Sequence, residues 1–272
     1  MIYILTGKND VFAAKNILSN FQRLLDNENL TDIKFIEVEN ALKVTDNELG
    51  NLIEMSHNDF IVVPSKHKSE SKYPCLTAHF PGNPCDVSNS EMGGESKKLN
   101  KGFATLMQKY VYNLFHEVTK EKLEIDVVIE QDHHGPTINL PIMFIEIGSE
   151  EENWKNESYG KVIASALLKT LKEIGSKSES YKSEKSYIAI GNTHYPKKFT
   201  EMLLNQEYKF SHVFSKYTIN CIDKNLLHQA IEKSIEKIQG FVIDKKSLKA
   251  SEKEKILNII NSFETTYEKI FV

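Results

Sequence analysis

Cysteine is scarce in this chain: Cys75, Cys85 and Cys221 are scattered over 272 residues. An odd, dispersed set argues against a disulfide framework, and no CxxC pair is present to hold zinc through sulfur. Any metal would therefore rest on histidine and carboxylate. Long apolar runs are missing as well. Nothing approaches the roughly 18 residues that span a bilayer, and the opening MIYILTGKND lacks the basic flank and cleavage site of a secretory signal. The expected setting is the cytoplasm, without a membrane partner. A large excess of one charge sign is absent too. The formal net charge of −4 gives no general affinity for nucleic acid, so a surface for RNA would have to be local. There is no GxGxxG, no Walker loop and no HExxH, and Cys85 has no triad pattern around it.

What is present is an alternation of short apolar runs with stretches of helical period. The runs are MIYILTG (1–7), DIKFIEV (32–38), DFIVVPS (59–65), CLTAHF (75–80), DVVIEQ (126–131), IMFIEIG (142–148) and YIAIG (187–191). Between the first two, Val11, Ala14, Leu18, Phe21 and Leu25 mark one face of a helix beginning near Asn9 or Asp10. Further helices are expected over 100–118, around Val162 to Leu171, and from Ser251, where Glu254 completes a capping-box pattern. Nearly continuous apolar strands separated by helices indicate an α/β sheet covered on both faces. The loops 81–98 and 176–186 are polar, and neither reads as a linker. The expectation is one α/β domain over 1–272, with about 220–272 as a helical part packed on it.

The histidines pick out a place on this map. His67, His79, His133, His134 and His194 follow or close predicted strands, five of nine in the chain. Ligands of open α/β sheets bind outside the carboxyl ends of the strands, so these five are expected to converge. His57, His116, His212 and His228 read as ordinary core or surface residues. Glu146 interrupts the apolar run IMFIEIG, and a carboxylate inside a covered strand is costly unless paired, hydrogen-bonded or metal-bound. Zinc suits such a donor set, with neutral imidazoles and carboxylates as ligands. Adjacent histidines are also common on solvated surfaces; the converging strand ends and Glu146 favour the functional reading. SKHKSES (65–71) is either an exposed basic loop or a binder of phosphate and ribose. HFPGNP (79–84) reads first as a rigid turn, and GNTHYPKKF (191–199) as a strand end where Gly191 lets backbone approach a ligand.

SKHKSES, LTAHFPGN, HHGPT, FIEIGSEEENW and GNTHYPKKF, in this order and at these separations, resemble the D-aminoacyl-tRNA deacylases of the archaeal and plant type. The resemblance covers roughly 1–215, and HHGPT with EIGS and Trp154 is its most specific part. It implies a monomeric, zinc-dependent hydrolase with one or two zinc ions, cleaving the ester between a D-amino acid and the 3′-terminal adenosine of tRNA. The fold it implies is a three-layer α/β/α sandwich, similar to the phosphorylase and peptidyl-tRNA hydrolase group, with a mixed, mostly parallel sheet. It departs from the family in having Gly191-Asn192-Thr193 where a glycine-rich approach is usual.

Joined to the residue reading, the resemblance gives a set of expected roles. His67, His79, His133, His134, Glu146 and His194 supply metal ligands; His133, His134, Glu146 and Thr137 carry catalysis, with Asp132 as a further candidate for moving protons. Lys66, Lys68, Ser69, Asn83, Gly135, Gly191, Tyr195 and Lys197 contact the tRNA end. Selection for the D form is expected from a pocket that excludes the L side chain. Two other classes fit the bare pattern: a different hydrolase or phosphorylase acting on a nucleoside or peptide, and a non-catalytic binder of the tRNA end.

Overall fold

A computed structural model describes residues 1–70, 72–87 and 89–272. Ser71, the last residue of SKHKSES, and Ser88, in the 81–98 loop, lie outside the described residues. The first half runs β1 (Ile2–Gly7), α1 (Ala13–Leu25), β2 (Ile33–Val38), α2 (Asp46–Leu52), β3 (Phe60–Lys68), β4 (Cys75–His79), β5 (Gly82–Asn83), β6 (Lys98–Leu99), α3 (Ala104–Lys120) and β7 (Asp126–Ile129). Then come β8 (Ile142–Ser149), α4 (Glu151–Trp154), α5 (Glu157–Ile174), β9 (Lys185–Ile190), α6 (Lys197–Leu204), β10 (Phe210–Phe214), α7 (Lys224–Glu232), β11 (Lys237–Ile243), α8 (Ala250–Asn261) and β12 (Glu268–Phe271).

The strands divide between two main sheets flanked by helices. One has the order β2-β1-β3-β8-β4-β7 and the other β10-β9-β11-β12. β1, entirely buried, lies parallel between β2 and β3, and β3 lies parallel to β8. β4 runs antiparallel to β8 and parallel to β7, so the first sheet is mixed, whereas the second is wholly parallel. One face of the first sheet joins α1, α3 and α5 in the largest core cluster, through residues such as Ile4, Val62, Ile145 and Leu167. That cluster extends to Ala189, Val213 and Val242 of the second sheet, whose other face buries Ile188, Phe214 and Phe241 among residues of α7 and α8. The opposite face of the first sheet holds a smaller cluster built on Tyr3, Leu5, Val63 and Phe144, and it leaves part of that face uncovered.

Several local expectations shift. α1 starts at Ala13, because the Asp10 carboxylate is already engaged, accepting from the backbone N–H of Lys66 at 2.6 Å and of Ala14 at 3.3 Å. Ile17 rather than Leu18 is the fully buried member of its inner face, and Val11 is exposed. The cap of α8 is Lys249, two residues before the expected Ser251, with Glu252 reaching back to the Lys249 N–H at 2.7 Å. The segment 220–272, expected to be helical, does contain α7 and α8 but also contributes β11 and β12. Its strand signal is the short apolar end of KIQGFVI, which a helix pattern shares, and pairing with β9 decides the outcome.

Cys85 and Cys221, read from sequence as unpaired, form a disulfide with Cα atoms 5.2 Å apart. They are 136 residues distant in the chain, so no spacing pattern announces the pair; the fold alone brings the 81–98 loop against the segment before α7. No helix among the described residues is long and apolar enough to cross a membrane.

Candidate functional site

Side chains alternate along a strand, so register decides which of them share a face. Ser65 pairs with Glu146 and His67 with Gly148 between β3 and β8, while Thr77 pairs with Glu146 and His79 with Phe144 between β4 and β8. His67, Glu146, Phe144, Thr77 and His79 therefore point to the same side, the face that the smaller core leaves partly open. Because β4 arrives from the opposite direction, its terminal histidine lies level with Phe144 and that of β3 with Gly148. Glu146 stands between them. The convergence expected along one rim of carboxyl ends is thus a convergence across a sheet face.

The His133–His134 turn follows β7 and is held by the second sheet. Asp132 N–H donates to the Val213 carbonyl at 2.8 Å, and Gln131 N–H to the His194 carbonyl at 3.1 Å. The same bonds bring His194, from the loop after β9, to the first sheet. Asp132 does not face the cluster of imidazoles. Its carboxylate accepts from Val213 N–H at 3.0 Å and lies 2.6 Å from His212 Nδ1, both side chains being buried, so this pair anchors the turn.

Hydrogen bonds fix the ring orientation of three histidines. Nδ1 of His79, His133 and His134 faces the carbonyl of Phe80, Gln131 and Gly135 at 3.2, 2.9 and 2.6 Å. A carbonyl only accepts, so Nδ1 carries the proton in each, and Nε2 is left to act as a ligand. The rings of His79, His133 and His134 pack with centroids 4.2 to 4.7 Å apart. His134 adopts a positive φ of 47°, a conformation uncommon outside glycine and one that cores rarely retain without a local requirement.

His67 and His194 are arranged differently, around carboxylates. His67 Nδ1 lies 3.3 Å from both Glu130 Oε1 and Glu146 Oε2, and its Nε2 is 2.5 Å from the Tyr195 hydroxyl. His194 Nε2 is 2.6 Å from Glu130 Oε2, with His133 Nε2 at 3.8 Å from the same oxygen. Trp154 Nε1 donates to the His67 carbonyl at 3.0 Å and so pins the end of β3. Glu130, absent from the sequence-derived set, is the hub. It closes the apolar run DVVIE as Glu146 interrupts IMFIEIG, so the same signal was available for it.

Burial and charge sort these groups by protonation. Burial works to lower His67, but the Glu130 and Glu146 carboxylates override it and hold the imidazole up to about 12. His79 is likewise raised against the effect of burial, chiefly by Glu146. Burial, reinforced by the neighbouring His79, holds His133 well below the ordinary value and His134 at about 4. Burial would raise both glutamates, yet the surrounding imidazoles keep Glu130 well below the carboxylate range and Glu146 at about 2. Two carboxylates thus face the His67 imidazolium and the raised His79 on one side and two imidazoles held toward the neutral form on the other.

That donor set fits a divalent cation. Three groups, His79 with His133 and His134, Glu130 with His133 and His194, and His67 with Glu130 and Glu146, each bring their ligand atoms within 4.8 Å of one another. His79 Nε2 is buried without a hydrogen-bond partner, which leaves a ligand atom unsatisfied within the cluster. A cation would replace the second proton on His67, since imidazoles ligate in the neutral form.

The cluster opens into a cleft of about 560 Å³, to which His67, His133, His134, Glu146, His194 and Tyr195 contribute. Lys66, Lys68 and Ser69 line it as well, and the Ser69 side chain hydrogen-bonds Tyr195. Asn9 and Asp10, just past the carboxyl end of β1, are cleft residues that the strand-end rule would have found had it been applied there. Other expected contacts lie elsewhere. Asn83 Nδ2 donates to the carbonyls of Gly93 and Glu95, and Thr137 Oγ1 accepts from Glu95 N–H, so both hold the loop beside the turn. Gly135 packs against Gly93, Gly94 and the Leu42 carbonyl. Gly191, at φ 109°, makes its close backbone approach to Asp244 and Ser247 of its own chain. Lys197 pairs with Asp126 at 2.9 Å and lies over Tyr73, outside the cleft lining.

The cation-free cluster has a pH signature. Glu146 is depressed in the folded protein, so its contribution to stability is present above about pH 4.5 and is lost as pH falls through about 2. That contribution is on the order of 3 kcal/mol. Urea midpoints of metal-stripped protein should fall between pH 5 and pH 2, and Glu146→Gln should flatten that dependence. An equal slope in the variant would place the acid sensitivity elsewhere.

Comparison with known proteins extends the reading. A family model described as D-aminoacyl-tRNA deacylase matches residues 55–268, which takes in α7, β11 and α8 beyond the motif resemblance. The chain is similar to the D-aminoacyl-tRNA deacylase of Sulfurisphaera tokodaii, 33% identical over 249 residues, covering 87% of this chain and 99% of that one. It is 36% identical over 210 residues to that of Saccharolobus islandicus, covering 76% and 82%. A crystal structure of a conserved protein of unknown function shares the fold, with a TM-score of 0.83 and 24% identity over all of this chain and 94% of the other.

Proposed function

The chain belongs to the D-aminoacyl-tRNA deacylase family, and on that premise we propose that its histidine–glutamate cleft hydrolyses the ester joining a D-amino acid to the 3′-terminal adenosine of tRNA, with zinc as the assisting metal. The observation that supports it best is the set of three imidazoles whose Nδ1 protons are committed to backbone carbonyls, leaving their Nε2 atoms beside two buried carboxylates in an open cleft.

His79, His133 and His134 form the first donor group, and Glu130, His194, Glu146 and His67 surround a second position. Zinc held there supplies Lewis-acid polarisation of the ester carbonyl and acidifies water. Glu130, kept anionic by the surrounding imidazoles, shares its Oε2 with His194 Nε2 and so orients that ring, while the proton released as water oxygen bonds to the carbonyl carbon leaves to solvent through the open cleft. The ester C–O bond then breaks, and the 3′-oxygen of the ribose needs a proton. Tyr195 is placed to donate it, since burial first of all keeps its hydroxyl protonated and His67 stands behind it at 2.5 Å. Lys66, Lys68 and Ser69 contact the ribose and terminal phosphate at the open end of the cleft. Thr137, Asn83 and Gly135 serve by holding the His133–His134 turn.

The test is release of amino acid from D-tyrosyl-tRNA and L-tyrosyl-tRNA by purified protein, before and after chelation and with zinc restored. The expected result is rapid cleavage of the D ester only, abolished by the chelator and recovered with zinc. Undiminished cleavage by fully stripped protein would remove the metal from the mechanism, and cleavage of neither ester with zinc present would defeat the reading.

A further inference from the structure

The two ends of the cleft differ in chemistry. Lys66, Lys68, Ser69 and Tyr195 gather around His67, the Ser69 and His67 side chains both meeting Tyr195, whereas Leu42 and Met92 gather beside the His134 turn, next to Asn40 and Ala41. Met92 is 40% exposed, a large apolar side chain left facing solvent on the cleft wall. Its place is nevertheless fixed. Gly135 N–H donates to the Met92 carbonyl at 2.8 Å. A Cβ on Gly93 or on Gly135 would fall 1.8 Å or 2.4 Å from the Leu42 carbonyl oxygen, so the segments carrying Leu42, Met92 and His134 are in backbone contact.

We propose that Leu42 and Met92 form the subsite for the side chain of the aminoacyl group, and that the enzyme therefore prefers D-esters of aromatic and large apolar amino acids to those of acidic ones. The inference rests on the deacylase reading and deepens it. An aminoacyl ester held at the imidazoles must extend its ribose to one side and its acyl group to the other. The lysines and hydroxyls of the first end match ribose and phosphate, which leaves the apolar wall for the acyl side chain. A carboxylate placed there would lose water against Met92 and Leu42 and would meet no cationic side chain beside them, the neighbouring polar group being the Asn40 amide, whose oxygen accepts from Leu42 N–H at 3.0 Å.

The experiment compares kcat/KM for D-tyrosyl-tRNA and D-aspartyl-tRNA in the zinc-loaded wild type, Met92→Ala, Met92→Lys and Leu42→Ala. Met92 lies at the surface, so its variants are expected to fold. The wild type should favour the tyrosyl ester, and Met92→Ala should lower the tyrosyl-to-aspartyl ratio about tenfold, the scale of one apolar contact in a specificity pocket. Met92→Lys should move the ratio further toward the aspartyl ester. Lys68→Ala, at the other end, should lower both esters alike and leave the ratio in place. A ratio unmoved in both Met92 variants and in Leu42→Ala, with hydrolysis intact, overturns the subsite while the deacylase reading stands. A wild type that cleaves neither ester brings down both together.

Discussion

Glu130→Gln is expected to lower kcat/KM for D-tyrosyl-tRNA by roughly one to two orders of magnitude, the range associated with loss of a group that orients metal-ligating imidazoles. The carboxylate is wholly buried and reaches His67, His194 and His133 at 3.3, 2.6 and 3.8 Å. Glutamine preserves the volume and removes the charge. Its amide nitrogen would replace an acceptor with a donor next to His194 or His67, and His67 would keep only Glu146 to stabilise its proton. The cluster should also hold zinc less tightly, because one of its donor groups loses an anionic ligand. Single-turnover rates with the D ester and zinc content after dialysis read the two effects separately, while near-ultraviolet circular dichroism checks the packing. Glu130→Asp keeps the charge on a shorter arm and should recover part of the zinc binding. Wild-type rates in the glutamine variant would show that His67 and His194 keep their catalytic placement without the Glu130 charge.

Much of this site was legible in the chain because its residues break patterns that the fold imposes. Glu146 is visible as a carboxylate inside IMFIEIG, and burial within β8 gives that visibility its physical meaning. His67, His79, His133, His134 and His194 were readable as residues at strand ends, and the structure brings all five around the two glutamates. Strand direction was not readable. The antiparallel entry of β4 puts His79 level with Phe144, and no periodicity in CLTAHF encodes that. Asp132 and Glu130 show the remaining difficulty. Both are acidic residues flanking Gln131, and only the bonds of Asp132 to His212 and Val213 turn one away and leave the other at the centre. The second sheet was missed for a similar reason, since β10, β11 and β12 are short runs whose identity depends on parallel pairing with β9 and with each other.

Gly135→Ala should abolish most of the activity without touching a single ligand. A Cβ at this position would lie 2.3 Å from Gly94 N, 2.4 Å from the Leu42 carbonyl oxygen and 2.5 Å from the Gly93 carbonyl carbon. All three are backbone atoms, so no side chain can rotate out of the way. The chain must either separate the 42 and 93–94 segments or move the turn, and the turn carries His134 at its positive φ with Nδ1 tied to the Gly135 carbonyl. Overpacking of this kind costs about 1–3 kcal/mol and more where the backbone is confined. A displacement of about 1 Å at a catalytic group can cost a hundredfold in rate. The expected result is a folded protein with a lower urea midpoint and a D-tyrosyl-tRNA rate reduced by about a hundredfold or more. Gly50→Ala supplies the contrast: its Cβ would meet nothing nearer than Met55 Cε at 3.9 Å, within α2, so neither rate nor stability should suffer. If Gly135→Ala lost stability but kept its rate, the 42 and 93–94 segments would have yielded and His134 would be held by its own bonds, and the activity would then depend on the turn's hydrogen bonds rather than on the glycine contact that packs it.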